Sequence, residues 1–320
     1  MLIKGRWTED WQPVQESDRE GRFLRQPSQI RHWICHHARP ASATEKCFIA
    51  EAGRYHLYVA LICPWAGRTL AVRALKKLES VISVSIVSPV ITEQGWQFGH
   101  FPGATEDHLH GADYLHQVYT RHDPEYTGRA TVPVLWDKQL DCMVNNESAD
   151  IMRMFNHAFV DFSDVQLDLY PEALQPEIDR LNQRLYQRLN NGVYRAGFAT
   201  SQQAYNEAFD DVFAALDELE IRLRFGPYLF GEQMTETDIR LFVTLARFDA
   251  VYFSLFKCNL RRIADYPHLS RYLARLYAIP ELRGTIDFNH IKRGYYSIHK
   301  LNPSGIVPRG PELDLLAKAS

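Results

Sequence analysis

Residues 55–90, YHLYVALICPWAGRTLAVRALKKLESVISVSIVSPV, constrain the fold more than any other stretch of this chain. YHLYVALIC is β-rich and largely apolar, as a buried strand is. WAGRTLAVRALKKLES then sets Leu70, Ala74, Leu75 and Leu78 at helical spacing, with charges opposite. VISVSIVSPV is a second, β-branched strand. Strand, helix and strand at this spacing make a βαβ unit, and such a unit pairs its strands in parallel. At its first joint stands a single thiol, in Leu61-Ile62-Cys63-Pro64-Trp65-Ala66.

The rest of the chain arranges itself around that unit. Residues 1–50 are polar and weakly periodic and read as an extension that covers a core rather than building one. Residues 92–130 carry five Gly and two Pro with no clean period, which reads as a long functional loop or lid. TVPVLWD and QLDCMV follow as two short strands with a turn at Asp137-Lys138, and NESADIMRMFNHAF opens a helix. The order β-α-β, loop, β-β-α predicts a thioredoxin-like domain over residues 51–160. Beyond it the pattern is helical over 161–320. Ile178, Leu181, Leu185 and Leu189 line one face; Tyr205, Phe209, Val212, Leu216, Leu219 and Leu223 line the next. Thr235-x-x-Asp238 starts a further helix in the manner of a capping box, and another runs from near Pro267 to just before Pro280. The fold class is therefore α/β plus all-α.

Composition excludes several functions. A net charge of −3 over 320 residues argues against nucleic acid and against an anionic membrane surface as partners. No apolar run approaches the ~20 residues of a membrane helix, and the polar N-terminus does not read as a signal peptide. Five cysteines (Cys35, Cys47, Cys63, Cys142 and Cys258) stand at no framework spacing, which predicts reduced thiols and a cytoplasmic protein. Cys35-His36-His37 carries little weight as a metal site, because three adjacent side chains do not converge without further ligands. No Gly-rich dinucleotide loop is present, so no nicotinamide cofactor is expected.

Cys63 carries the chemistry. A cysteine between a strand end and a helix start lies near unpaired N–H groups and the positive end of the helix dipole. Pro64 suits the first helical turn, where its missing N–H costs nothing. Such a placement favours thiolate at neutral pH. The bland alternative is a small buried hydrophobe, but the C-terminal end of a parallel strand is where α/β folds bind their ligands. A C-x-x-C pair resolves its own mixed disulfide; with Ala66 in the second position, a second thiol must come from solution, and glutathione is the abundant donor. Thiol chemistry with glutathione requires no metal. Three further features suit a glutathione site. The Val132-Pro133 step stands at a strand entrance, where proline need not donate to a ladder. Glu147-Ser148 opens a helix, where hydroxyl and N–H groups receive a carboxylate and Glu147 an ammonium; a plain N-terminal cap is the equal alternative. Trp96, in the long loop, is placed to cover a ligand or simply to pack.

CPWA after a strand, GWQF in a long insert, TVPVLWD and NNESADIMRMFN together closely resemble the glutathionyl-hydroquinone reductases, the Xi class of glutathione transferases. FDAVYFSLFKCN, HIKRGYYSIHKLNPSGIVP and the extension GRFLRQPSQIRHWI agree, so the resemblance covers nearly the whole chain. It implies a homodimer of the glutathione-transferase fold that removes glutathione from glutathionyl-hydroquinones. It also implies Cys63 as nucleophile, with Trp96, the segment Arg129, Ala130, Thr131 and Val132, and the pair Glu147 and Ser148 holding glutathione. In thioredoxin-like domains the Val132-Pro133 bond is cis, an isomer that sequence does not show. The resemblance further assigns catalytic tyrosines to Tyr194, Tyr252 and Tyr295, with Tyr296 adjacent to the last. On this reading Tyr194 protonates the ring carbon that bears sulfur. Tyr252 and Tyr295 donate hydrogen bonds to the thiolate. CPxA by itself is shared with Omega-class transferases, so a thioltransferase or dehydroascorbate reductase is the nearest rival; a non-catalytic binding module of the same fold is the other.

Overall fold

A computed structural model describes residues 1–8, 17–36, 47–313 and 315. The described residues form two compact units that interleave along the chain: one within 1–13, 27–167 and 289–294, the other within 14–26, 168–288 and 295–320.

In the first unit the short hairpin β1 (Leu2–Ile3) and β2 (Arg6–Trp7) is followed by a parallel pair, β3 (Trp33–Cys35) and β4 (Cys47–Ile49). The βαβ pattern folds as read. β5 (Tyr55–Val59) is buried at every residue, α1 (Pro64–Leu75) crosses over, and β6 (Ile82–Thr92) returns parallel to β5. β7 (Gly95–Phe98) pairs antiparallel with β6, and α2 (Leu115–His122) follows. β8 (Val134–Asp137), β9 (Cys142–Asn145) and α3 (Ser148–His157) complete the domain. The sheet runs β7-β6-β5-β8-β9, parallel only at β5–β6, and α1 packs on α3.

Two expectations are corrected here. Residues 92–130 are not a bare loop: they hold β7 and α2, and Trp96 sits on an edge strand. Nor are the five cysteines all separate thiols. Cys35 and Cys47 form a disulfide, with Cα atoms 5.9 Å apart, an ordinary separation for such a bond. Parallel pairing of β3 with β4 brings together two residues whose spacing had signalled nothing. Cys63, Cys142 and Cys258 are free thiols. His36 of the Cys35-His36-His37 run pairs with Asp161 at 2.7 Å, and His37 lies outside the described residues. Among the described residues no group of three His, Cys, Asp or Glu side chains gathers as a metal site would.

The extension does more than cover. Leu2, Ile34 and Phe48 are buried in the first unit and Phe23 in the second. Residues 28–34 lie along β9 and α3. The His32 N–H donates to the Val144 carbonyl at 2.9 Å, Asn145 Nδ2 donates to the His32 carbonyl at 3.0 Å, and Arg31 grips Asp150 through two bonds of 2.7 and 2.6 Å.

The second unit is helical. α4 (Gln175–Leu185) runs into a π turn, Tyr186–Asn190, and then α5 (Gly192–Gly197). α6 (Gln202–Arg222) starts at Ser201, whose hydroxyl accepts from the Ala204 N–H at 3.2 Å. α7 (Glu236–Arg247) starts at the predicted Thr235–Asp238 box: the buried Asp238 carboxylate accepts from the Thr235 N–H at 2.8 Å, the Leu229 N–H at 2.9 Å and the Tyr272 hydroxyl at 2.9 Å. A second π turn, Phe248–Tyr252, continues α7. α8 (Pro267–Ala278), α9 (Pro280–Arg283) and α10 (Phe288–Tyr296) follow, α10 with residues in both units. Among the described residues no helix is long and apolar enough to cross a membrane.

Candidate active site

Cys63 is the N-cap of α1, with extended backbone (φ −77°, ψ 119°) and Pro64 at the first helical position. Its N–H donates to the Ala60 carbonyl at 3.0 Å, and its carbonyl accepts from the Gly67 N–H at 2.9 Å, so both sides of the turn are fixed. The thiol is half-buried and lies 3.8 Å from the Val132 carbonyl oxygen. Ala66 is fully buried one turn on. Arg68, also in α1, is buried with its guanidinium 4.5 Å from the Trp65 ring centroid, a cation in the helix that begins at Cys63. The sequence reading did not single it out.

Val132-Pro133 is cis. The segment before it is braced from two sides. Leu2 and Gly128 exchange backbone hydrogen bonds of 2.9 and 3.0 Å. The Tyr119 hydroxyl donates to the Thr131 carbonyl at 2.8 Å and accepts from the Thr131 N–H at 3.1 Å. Arg129, Ala130 and Thr131 are half-exposed and Val132 is buried.

Glu147, not Ser148, caps α3. Its carboxylate accepts from the Ala149 N–H at 3.1 Å and from the Ser28 hydroxyl at 3.1 Å, while Ser148, the first helical residue, has its hydroxyl 3.4 Å from the same carboxylate. The N-cap reading of this pair is thus met by Glu147, which leaves its second oxygen turned to Ser28. Tyr119 reappears here, because its hydroxyl also accepts from Asn146 Nδ2 at 3.2 Å. One buried phenol ties the segment before the cis bond to the strand end before α3. Burial raises its pKa, so it stays a protonated donor. Trp96 is half-buried on β7, beside Gly95, whose φ of +83° and close approach to Trp7 (3.0 Å for a Cβ) demand glycine. Ser28, Arg31 and Tyr119 are the supports that sequence reasoning missed. Their partners lie from 12 to 119 residues away, beyond any local pattern.

In the second unit the three predicted tyrosines meet. The Tyr295 hydroxyl is 2.5 Å from that of Tyr194 and 3.1 Å from that of Tyr252, at the centre of a chain of three phenols. Tyr296 faces elsewhere, to Ser254 at 2.5 Å and the Ala250 carbonyl at 3.3 Å. Tyr252 closes the second π turn, and Tyr194 is on the short helix that follows the first; interruptions of this kind recur at functional sites. Burial raises the pKa of Tyr252 and of Tyr295 well above that of an ordinary phenol, and the charge on Arg247 only partly opposes it. Both are therefore neutral donors near pH 7. Phe23 and Arg25 of the extension complete this cluster. Phe23 stacks at 6.4 Å on Tyr194 and 5.6 Å on Phe198 (centroid distances), and Arg25 lies over the Tyr194 ring at 4.8 Å.

A thioredoxin-like sheet with one thiol at its first helix start, followed by a helical unit, is the architecture of the glutathione transferases. Residues 62–158 match the model of the glutathione S-transferase N-terminal domain and residues 202–275 that of the C-terminal domain. The chain is 50% identical to glutathionyl-hydroquinone reductase PcpF of Sphingobium chlorophenolicum over 312 residues, 97% of this chain and 96% of the relative. The glutathione-bound structure of YqjG, a glutathione transferase homologue from Escherichia coli K-12, superposes with a TM-score of 0.89 at 48% identity, covering 98% of this chain and 96% of that one. The glutathione-S-transferase Xi from Phanerochaete chrysosporium gives 0.87 at 47% identity, with 92% and 95% covered. The chain belongs to the Xi class of glutathione transferases, the glutathionyl-hydroquinone reductases.

Proposed function

We propose that this protein reduces glutathionyl-hydroquinones to hydroquinones, with glutathione as the second thiol. The observation that carries the reading is Cys63 itself: one half-buried thiol at a helix start, beside the Val132 carbonyl, with a buried methyl at Ala66 where a resolving cysteine would stand. The 50% identity to a glutathionyl-hydroquinone reductase over nearly the full length supports the same substrate.

In this proposal Trp96, the segment Arg129 to Val132, and Glu147 with Ser148 hold glutathione. The helix start at Ser148 suits the γ-glutamyl carboxylate, and Glu147 suits its ammonium. The hydroquinone thioether first tautomerises. Tyr194 gives a proton to the ring carbon that bears sulfur, while a ring hydroxyl loses its own and becomes a carbonyl. The Cys63 thiolate then attacks the glutathione sulfur. The S–S bond forms, the C–S bond breaks, and its electron pair restores the aromatic ring as a phenolate that takes up a proton. A second glutathione attacks the mixed disulfide, releasing glutathione disulfide and regenerating Cys63. Tyr252 and Tyr295, protonated by virtue of burial, are the phenols expected to donate hydrogen bonds to the thiolate. Their bonded chain to Tyr194 adds a further role in this proposal, that of reloading Tyr194.

The test is direct. Incubation with a glutathionyl-hydroquinone and excess glutathione yields free hydroquinone and glutathione disulfide in equal amounts, followed by mass spectrometry; without the second thiol, Cys63 is trapped as a glutathione adduct. The Cys63→Ser variant yields neither. Turnover of dehydroascorbate or hydroxyethyl disulfide with none of the thioether would replace this reading with the thioltransferase one. We extend the proposal to a homodimer in a glutathione-rich compartment such as the cytoplasm; a monomeric mass in sedimentation would overturn the first part.

A further inference from the structure

We propose that Arg25, carried by the N-terminal extension, is a positioning residue that makes Tyr194 an effective proton donor. The proposal rests on the reading above, in which Tyr194 protonates the substrate ring. Arg25 Cζ lies 4.8 Å from the Tyr194 ring centroid and 5.4 Å from that of Phe23, and Arg25 Nε donates to Asn191 Oδ1 at 2.8 Å. Asn191 stands just before α5, which carries Tyr194, so one side chain grips the helix start and covers the ring. A guanidinium over a phenol is attracted to its π face, and the attraction strengthens once the phenol becomes a phenolate. When the Tyr194 O–H bond breaks and the new C–H bond forms on the substrate ring, negative charge is left on Tyr194. Arg25 is already in place to meet it, and the Tyr295 hydroxyl 2.5 Å away supplies the replacement proton.

Other charged and titratable groups among the described residues also lie near Tyr194. Tyr295 on α10 and Tyr252 in the second π turn meet it as neutral phenols. Arg247 at the end of α7 acts on those two. On α6, Asp211 is engaged with Arg195 at 2.7 Å and Glu207 with Arg22 at 2.8 Å. Phe23, Phe198 and Phe256 supply apolar walls. Arg25 is not needed merely to hold the extension down. Arg22 grips Glu207 through two bonds, the Ser201 hydroxyl donates to the Glu20 carbonyl at 2.6 Å, and the Thr200 N–H donates to the Gly21 carbonyl at 3.0 Å. The segment has its own anchors besides Arg25.

Single-turnover release of hydroquinone across pH, measured for the full-length protein, tests this. Arg25→Met should release hydroquinone roughly 3- to 30-fold more slowly, in keeping with the loss of a cation–π contact of ordinary strength. The alkaline fall in its rate should begin at higher pH, because a weaker acid stays protonated longer. Glutathione affinity by calorimetry should not change, and Arg25→Lys should recover part of the rate, since lysine keeps the charge without the planar stacking. Tyr194→Phe keeps the ring under Arg25 but has no proton to give, so adding Arg25→Met to it should cost nothing further. An equal loss in both backgrounds would reduce Arg25 to a structural anchor and overturn the proposal. Full rate in Arg25→Met beside a slow Tyr194→Phe would also overturn it alone. Full rate in Tyr194→Phe would instead overturn the role of Tyr194, and the proposal with it.

Discussion

Tyr119 shows what decides function at the scale of a residue. Its hydroxyl bonds to the Thr131 backbone, to the Thr131 hydroxyl and to the Asn146 amide, and so links two segments proposed to hold glutathione. Tyr119→Phe keeps the ring and removes the link. It leaves the Thr131 backbone and the Asn146 amide without that partner inside the protein, at a cost of about 1–3 kcal/mol. Glutathione should then bind on the order of 10-fold more weakly. The Cys63 thiol, reached by neither bond, should still react with a small disulfide reagent at its normal rate. Calorimetry and thiol titration check the two halves; unchanged glutathione affinity in a folded variant would show that the two segments keep their places without the phenol. None of this was legible beforehand, because Tyr119 reads as one aromatic in an aperiodic stretch. Cys63 was legible because its argument is local: strand, cysteine, proline, helix. The tyrosines were legible only through resemblance, since single tyrosines on helices are packing residues in most proteins.

At the scale of elements, long periodic stretches came through and short ones did not. β5, α1 and β6 are strongly patterned over 5, 12 and 11 residues. β7 and α2 span four and eight, too few for periodicity to separate them from loop. The β5–β6 pair also sets a pH response. His56 on β5 is buried, and its two ring nitrogens meet Ser83 Oγ at 2.8 Å and Ser85 Oγ at 3.0 Å, both on β6. Burial holds the imidazole down to about 4, against an ordinary value of 6.5. The unfolded chain therefore binds a proton between those values that the folded chain refuses, so stability rises with pH across the window and is lost as pH falls from 6.5 toward 4. The full effect is about 3 kcal/mol, reached near the lower end. Thermal melts at pH 7 and 4.5 should show a smaller drop for His56→Gln than for the wild type, the variant being less stable at pH 7 but less sensitive to acid. Parallel drops would assign the acid response to other groups.

At the scale of the whole molecule, the extension was misjudged, and the reason is physical. Its contacts are made with partners remote in the chain: Leu2 with Gly128, Arg31 with Asp150, Arg22 with Glu207. A weakly periodic, polar segment carries no local signal of such partners, and its few apolar residues look incidental. Yet residues 1–8 and 27–35 brace the first unit while residues 17–26 build part of the second, so one stretch serves both. A variant lacking residues 1–26 retains Cys63, Trp96, Glu147, Ser148 and all three tyrosines, and on local reading should be active. The structure predicts otherwise. Truncation strips the Leu2–Gly128 ladder, opens the faces of Phe198 and Tyr194 that Phe23 covers, and removes Arg25. Loss of a buried phenylalanine alone costs about 3–5 kcal/mol. In a chain of this size that lowers the melting temperature by roughly 4 to 7 °C. The truncated protein should also bind an apolar dye that the full chain excludes, and should lose hydroquinone release by a larger factor than Arg25→Met does. Phe23→Ala in the full chain should reproduce most of the thermal loss while keeping the glutathione affinity, because the brace on residues 126–132 remains. A truncated protein with wild-type melting temperature and turnover would return the extension to the role of a cover.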